Sequence, residues 1–224
     1  MNSAPGHPPQ PHSGALDAAG QPADRDAEAL WRILTTRRDH RHFLSDPVPR
    51  ETIERLLEVF DVAPSVGLSQ PWHVTVVQDR GAREAIHAGF REVRAAESQR
   101  FEGERRRLYN SLRLEGILEA PVGLIVSHLP PAGPTLGTTS MPTASEYSVV
   151  SAITLLWLAV TAEGLGMGWV SLVDPAHLGS AVPLPASARP LAYLCIGRPA
   201  LDLPEPLLQT VGWGQHKALS VEWI

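Results

Sequence analysis

Between Thr36 and Phe43 the chain reads Thr-Arg-Arg-Asp-His-Arg-His-Phe, so Arg37, Arg38 and Arg41 surround a single carboxylate, Asp39. A guanidinium is planar and always charged, and its fork of N–H donors matches phosphate oxygens two at a time. Three of them this close point to a phosphorylated ligand. A basic helix end is the plainer reading, because cations there complement the helix dipole. Asp39 fits neither reading easily, since a carboxylate beside bound phosphate is repelled unless it has another task.

Two further stretches could serve a ligand. Ala63-Pro64-Ser65-Val66-Gly67-Leu68-Ser69-Gln70-Pro71-Trp72 offers polar groups at Ser65 and Gln70 and a close backbone approach at Gly67. Taken alone it is an ordinary turn with a core tryptophan. Gly164-Leu165-Gly166-Met167-Gly168-Trp169-Val170-Ser171 suggests a dinucleotide fingerprint. Those glycines, however, follow a strand and open a helix, whereas here a helix precedes and a strand follows. They read better as a tight helix-to-strand turn that lets a flat ligand approach the backbone, with Ser171 pointing towards it. His40 and His42 alternate without the Cys or acidic partners a metal would need, so no metal site is expected. Neither a Ser-His-Asp arrangement nor a Walker sequence supports hydrolase or nucleotide-hydrolysing chemistry.

The elements that must position these residues follow from periodicity. Ala27, Leu30, Trp31 and Leu34 recur at helical spacing and lead into the arginine cluster. Ile53, Leu56, Leu57 and Phe60 mark a second amphipathic helix, and helices are also expected over 80–99 and about 104–119. Strands are expected at His73–Gln78, Val122–Ser127, Met167–Val173 and Leu191–Ile196. Residues 128–144, rich in Pro, Gly and Thr, form a long loop of the kind that often serves as a lid. Glu146–Glu163 is apolar nearly all round, so it should be buried centrally or at a subunit interface. The order gives an α+β domain, a mixed central sheet flanked by helices, over 26–224, preceded by a disordered tail, 1–25.

At 224 residues and 43% hydrophobic the chain can bury one core, and its formal charge of −5 leaves no basic footprint for nucleic acid. The lone cysteine, Cys195, sits in an apolar run and reads as buried and inert. The chain shows neither a signal-peptide pattern nor an apolar stretch of membrane-spanning length, so a soluble cytoplasmic protein is expected, with no membrane partner.

Three motifs in order, R-R-D-x-R, A-P-S-x-G-x-x-Q-P-W and A-E-G-x-G-x-G-W-V-S, resemble the nitroreductase-like flavoprotein superfamily, and within it the BluB family of 5,6-dimethylbenzimidazole synthases. The similarity runs from about Asp26 to Gly197 and includes Leu112–Ile117 and Leu156–Ala159. Asp39 and Leu68 stand where ordinary nitroreductases carry Ser and Asn, and Ser171 matches the family's serine. The resemblance implies an FMN-binding fold in which reduced FMN is both cofactor and substrate. With O2 it would be fragmented to dimethylbenzimidazole, the lower ligand of vitamin B12, and erythrose 4-phosphate. Carried over, Arg37, Arg38 and Arg41 would hold the phosphate and nearby ribityl, with His40 in the same cofactor-binding segment. Asp39 would be the general acid or base, its pKa raised by neighbouring negative charge. Ser171 would bond the flavin ring, and Ser65, Gly168 and Trp169 would shape its pocket. The resemblance also implies a homodimer with the flavin at the interface, a C-terminal extension packing on the partner, and a separate flavin reductase as supplier. The alternative is an NAD(P)H-dependent nitroreductase or flavin reductase using bound FMN; a third reading is a flavin-binding protein without turnover.

Overall fold

Four strands form the centre: β1 (Trp72–Val77), β2 (Val122–His128), β3 (Gly166–Val170) and β4 (Arg189–Gly197), in the order β1-β2-β4-β3. In this computed structural model residues 24–224 are described. The expected tail lies outside them except for residues 24 and 25, which belong to the first helix. Every named strand pair is antiparallel, with Trp72 opposite His128, Val122 opposite Ile196 and Gly166 opposite Gly197. The sheet is therefore not mixed as expected. Its parallel component is a single bridge between Asp39 and Met167.

The inner strands β2 and β4 are buried on both faces, which explains their continuous apolar runs. Alternation along them divides the core in two. Leu124, Val126, Leu194 and Ile196 face one cluster together with Ile153 and Leu156 of the central helix α6 (Ala144–Ala162). Ile125, Tyr193 and Cys195 face the other, against Ile86 and Phe90 of α4 (Arg80–Ser98) and Leu178 of α7 (Pro175–Ala181). Burial pushes the Cys195 thiol up to about 12, in keeping with an inert core cysteine.

Helix α1 (Asp24–Thr36) delivers the arginine cluster, and α2 (Arg50–Leu57) and α3 (Val59–Val62) pack on the α6 side. Helix α5 spans Gly103–Ser111 and stops well short of the expected end. Leu112 turns extended, Glu115 accepts a hydrogen bond from the Ile117 N–H (2.6 Å), and Gly116 lies against the Phe43 ring, where a Cβ would come within 2.6 Å. Strand β3 likewise ends at Val170, earlier than its apolar run suggests. Helix α6 is long and apolar enough to cross a bilayer, contrary to the sequence expectation. Here it is the core helix, with Val149, Ala152, Ile153, Leu156 and Val160 inaccessible to solvent. A short α8 (Leu207–Thr210) lies in the C-terminal stretch.

Candidate active site

The arginine cluster and the glycine motif form one structural unit. Glycine 164 ends α6: its φ is +69°, its N–H donates to Thr161 O (3.1 Å), and the Leu165 N–H donates to Val160 O (3.0 Å). This is a Schellman termination, which favours glycine at that position. Gly166 and Gly168 have a different task. A Cβ on Gly166 would meet the His40 ring at 2.9 Å, and one on Gly168 would meet the His40 carbonyl oxygen at 2.1 Å and Arg41 Nη1 at 2.6 Å. The strand carries no side chain at these two positions, and residues 39–41 lie along it there. The approach expected of a flat ligand is made by the protein's own backbone, and His40 N–H donates to Met167 O (3.0 Å).

That packing fixes Asp39. Its Oδ1 accepts from the Trp169 N–H (3.1 Å) and its Oδ2 from Arg41 Nη2 (2.5 Å), while the same Arg41 nitrogen donates to Trp169 O (2.7 Å). Arg41 is largely enclosed, but the Asp39 side chain keeps 44% of its surface and opens into a cavity of about 440 Å³. The protein packed around the carboxyl raises its pKa; Arg41, the Trp169 N–H and Arg37 pull it back. The direction is the one expected, and among the protein's own groups its cause is burial, since the adjacent charged side chains are cationic.

Arg37, Arg38, Asp39 and Arg41 share this cavity with Arg113, Leu114, Pro206, Leu207 and His216. His40 faces the other way, into a separate cavity of about 360 Å³ bounded by Leu165, Pro199 and Asp202. Burial first, and then Arg38, Arg37 and Arg41, hold its imidazole below the ordinary value, with Asp202 opposing. Ser171 is exposed and lies just beyond the end of β3, not inside the strand expected over Met167–Val173. It follows Trp169 by two residues, about 7 Å along extended chain.

Ser65 lies elsewhere on the same subunit. Its hydroxyl accepts from the Gln70 N–H (2.9 Å), and the next residue, Val66, donates to Ser148 Oγ (3.0 Å) near the start of α6. The arginines meet α6 at Trp157, whose Nε1 donates to Arg38 O (3.2 Å). Ser148 and Trp157 are nine residues apart, about 14 Å along the helix. Gly67, Leu68 and Gln70 all have left-handed backbones, with φ of +56°, +51° and +42°. The space expected for a ligand at Gly67 is filled by Thr135 and Leu136 of the loop after β2.

Residues 34–198 match the Nitroreductase family. A 5,6-dimethylbenzimidazole synthase of Rhodospirillum rubrum is 44% identical over 198 residues, covering 88% of this chain and 93% of that protein. One from Rhodobacter capsulatus is 41% identical, covering 88% and 95%. This chain belongs to the nitroreductase family, on its 5,6-dimethylbenzimidazole synthase branch. Solved nitroreductase folds agree. Iodotyrosine deiodinase bound to FMN and 3-iodo-L-tyrosine superposes with a TM-score of 0.70 at 22% identity, over 87% of this chain and 98% of that one. A BluB-like flavoprotein from Clostridium difficile 630 gives 0.63 at 20%, over 79% and 93%.

On this nitroreductase scaffold, sequence reasoning assigned no role to Arg113, Trp157 or the C-terminal wall. Arg113 and Trp157 both lie in stretches that resemble the synthase branch, which was the available signal. The wall is anchored by Trp213, which packs edge-on against Phe101 (5.2 Å between ring centres), near Tyr109, and under Arg105 (3.6 Å). The extension expected to pack on a partner thus begins on its own subunit, while Leu219, Val221, Trp223 and Ile224 remain exposed.

Proposed function

We propose that this protein fragments reduced FMN with O2 into 5,6-dimethylbenzimidazole and erythrose 4-phosphate, and that the cavity beside Asp39 holds the flavin's phosphate and ribityl chain. The observation that carries this reading is a carboxyl fixed by Arg41 and the Trp169 N–H, its pKa raised, opening into an arginine-lined cavity on a synthase-branch chain. The residues fit such a ligand. Arg37, Arg38, Arg41 and Arg113 line the cavity, and the Arg37 side chain makes no hydrogen bond among the described residues, so its donors suit a phosphate.

Bound reduced flavin supplies the electrons for the reaction with O2. Arg37, with Arg38 and Arg113 nearby, holds the phosphate end by charge-assisted hydrogen bonds. Arg41 and the Trp169 N–H fix the Asp39 carboxyl so that it can take a proton from a ribityl hydroxyl and return one. A raised pKa brings it nearer the working pH, which favours exchange in both directions. Ser171, about 7 Å beyond Trp169, bonds the ring.

Ser65 joins such a site if it comes from a second copy. Apolar surface suited to a homodimer is uncovered: Leu30, Trp31 and Leu34 on α1, Tyr147 and Val150 on α6, and Leu68 and Leu136 beside the strained turn. A separate flavin reductase supplies reduced FMN in this reading. The test is aerobic incubation with excess FMN, NADH and such a reductase, followed by mass spectrometry. Dimethylbenzimidazole supports the proposal. Rapid NADH oxidation by this protein alone, without dimethylbenzimidazole, sinks it in favour of a conventional reductase.

A further inference from the structure

We propose that Trp157 is a positioning residue that aims Arg37 at the ligand's phosphate, and so sets how strongly the protein prefers FMN to unphosphorylated riboflavin. This rests on the FMN reading above.

The clustered arginines are held in different ways. Arg41 gives Nη2 to Asp39 and to Trp169 O. Arg38 gives Nη1 to the carbonyls of Thr35 (2.8 Å) and Arg37 (2.9 Å), and Nη2 to that of Pro204. Among the described residues the Arg37 side chain makes no hydrogen bond. It is held instead through its face, with Cζ 4.7 Å from the centre of the Trp157 ring. Face contact restrains a guanidinium while leaving its in-plane N–H donors available; a carboxylate partner would occupy two of them.

The same indole fastens the adjoining backbone, because Nε1 donates to Arg38 O (3.2 Å). One side chain therefore restrains both the main chain next to Arg37 and its charged end. Trp157 is carried on the stretch of α6 that buries Leu156 and Val160 completely, so it stands on a part of the fold that does not yield. A tryptophan serving only to fill the core would need neither contact.

The test measures dissociation constants of FMN and riboflavin by flavin-fluorescence titration, with thermal melting in parallel. The readout is the ratio of the riboflavin constant to the FMN constant. Trp157→Leu should lower that ratio by about 3- to 20-fold while riboflavin affinity changes little. Trp157→Phe keeps a ring face and should retain most of the ratio. In the Trp157→Leu background, Arg37→Ala should add less than it does in the wild type. Equal weakening of both flavins, or an unchanged ratio in a folded variant, would overturn the proposal. If Trp157→Leu does not fold, the Phe variant decides: a ratio as low as that of Arg37→Ala contradicts the face contact. Wild-type protein with no preference for FMN would defeat the FMN reading itself, and this row of the experiment separates the two failures.

Discussion

Replacing Gly168 by alanine tests why the site is built as it is. The added methyl would stand 2.1 Å from the His40 carbonyl oxygen and 2.6 Å from Arg41 Nη1. Non-bonded heavy atoms settle near 3.5 Å, so the segment 39–41 or the strand must give way by roughly 1.4 Å. The movement falls on the His40–Met167, Asp39–Trp169 and Arg41–Trp169 hydrogen bonds. Overpacking of this kind costs about 1–3 kcal/mol and a weakened hydrogen bond about 1 more. The expected total of about 2–4 kcal/mol lowers the melting temperature by roughly 5–15 °C. A displacement of 1 Å at a reacting group can also cost about 100-fold in rate. Gly179→Ala is the matched control: it lies in α7 with nothing within 4 Å of the added atom, and it should be neutral or slightly stabilising. The assay is thermal melting of the ligand-free proteins, followed by product formation. If Gly168 were there to admit a flat ligand, Gly168→Ala would lose flavin binding but melt like the wild type. That outcome, or full activity in the variant, refutes the packing argument.

Asp39→Asn should lower product formation by about 100- to 10,000-fold with little change in FMN affinity, because an amide oxygen still accepts from Trp169 but no longer exchanges a proton. Comparable turnover in the variant would remove Asp39 from the chemistry. His40 and His128, both held below the ordinary value of 6.5 with burial as the first cause, bind protons more readily when unfolded, so stability should fall as pH drops through about 6.5. Melting temperatures between about pH 7.5 and 5 check the sign, and substituting both residues by Asn should flatten the slope. Light scattering at micromolar concentration should report a dimer, and a monomer would leave the apolar surfaces of α1 and α6 without a covering partner.

Much of this was legible because the decisive signals are local. Continuous apolar runs mark β2 and β4, helical spacing marks α1, and a stretch apolar nearly all round marks α6. The arginines and Asp39 sit within five residues, so any fold brings them near one another. What escaped was set by contacts distant in sequence. The role of Gly166 and Gly168 depends on a segment more than 120 residues away lying across them. The chain turns extended at Leu112 and then lies against Phe43 at Gly116, a contact that no propensity over 104–119 reveals. His40 sits between Asp39 and Arg41 yet faces another cavity, because the extended bridge to Met167 sends neighbouring side chains to opposite sides. The C-terminal wall was hidden because its anchor, Trp213, stands between Gly212 and Gly214 in a stretch without sustained helical or strand periodicity, and its partners lie about a hundred residues earlier.

The central claim is that flavin is consumed and not merely cycled, and a single turnover tests it without any reductase. FMN reduced photochemically under anaerobic conditions would be mixed with an excess of the protein and then exposed to air. The account predicts loss of flavin matched by equimolar 5,6-dimethylbenzimidazole. Quantitative recovery of oxidised FMN, with no dimethylbenzimidazole, would contradict it.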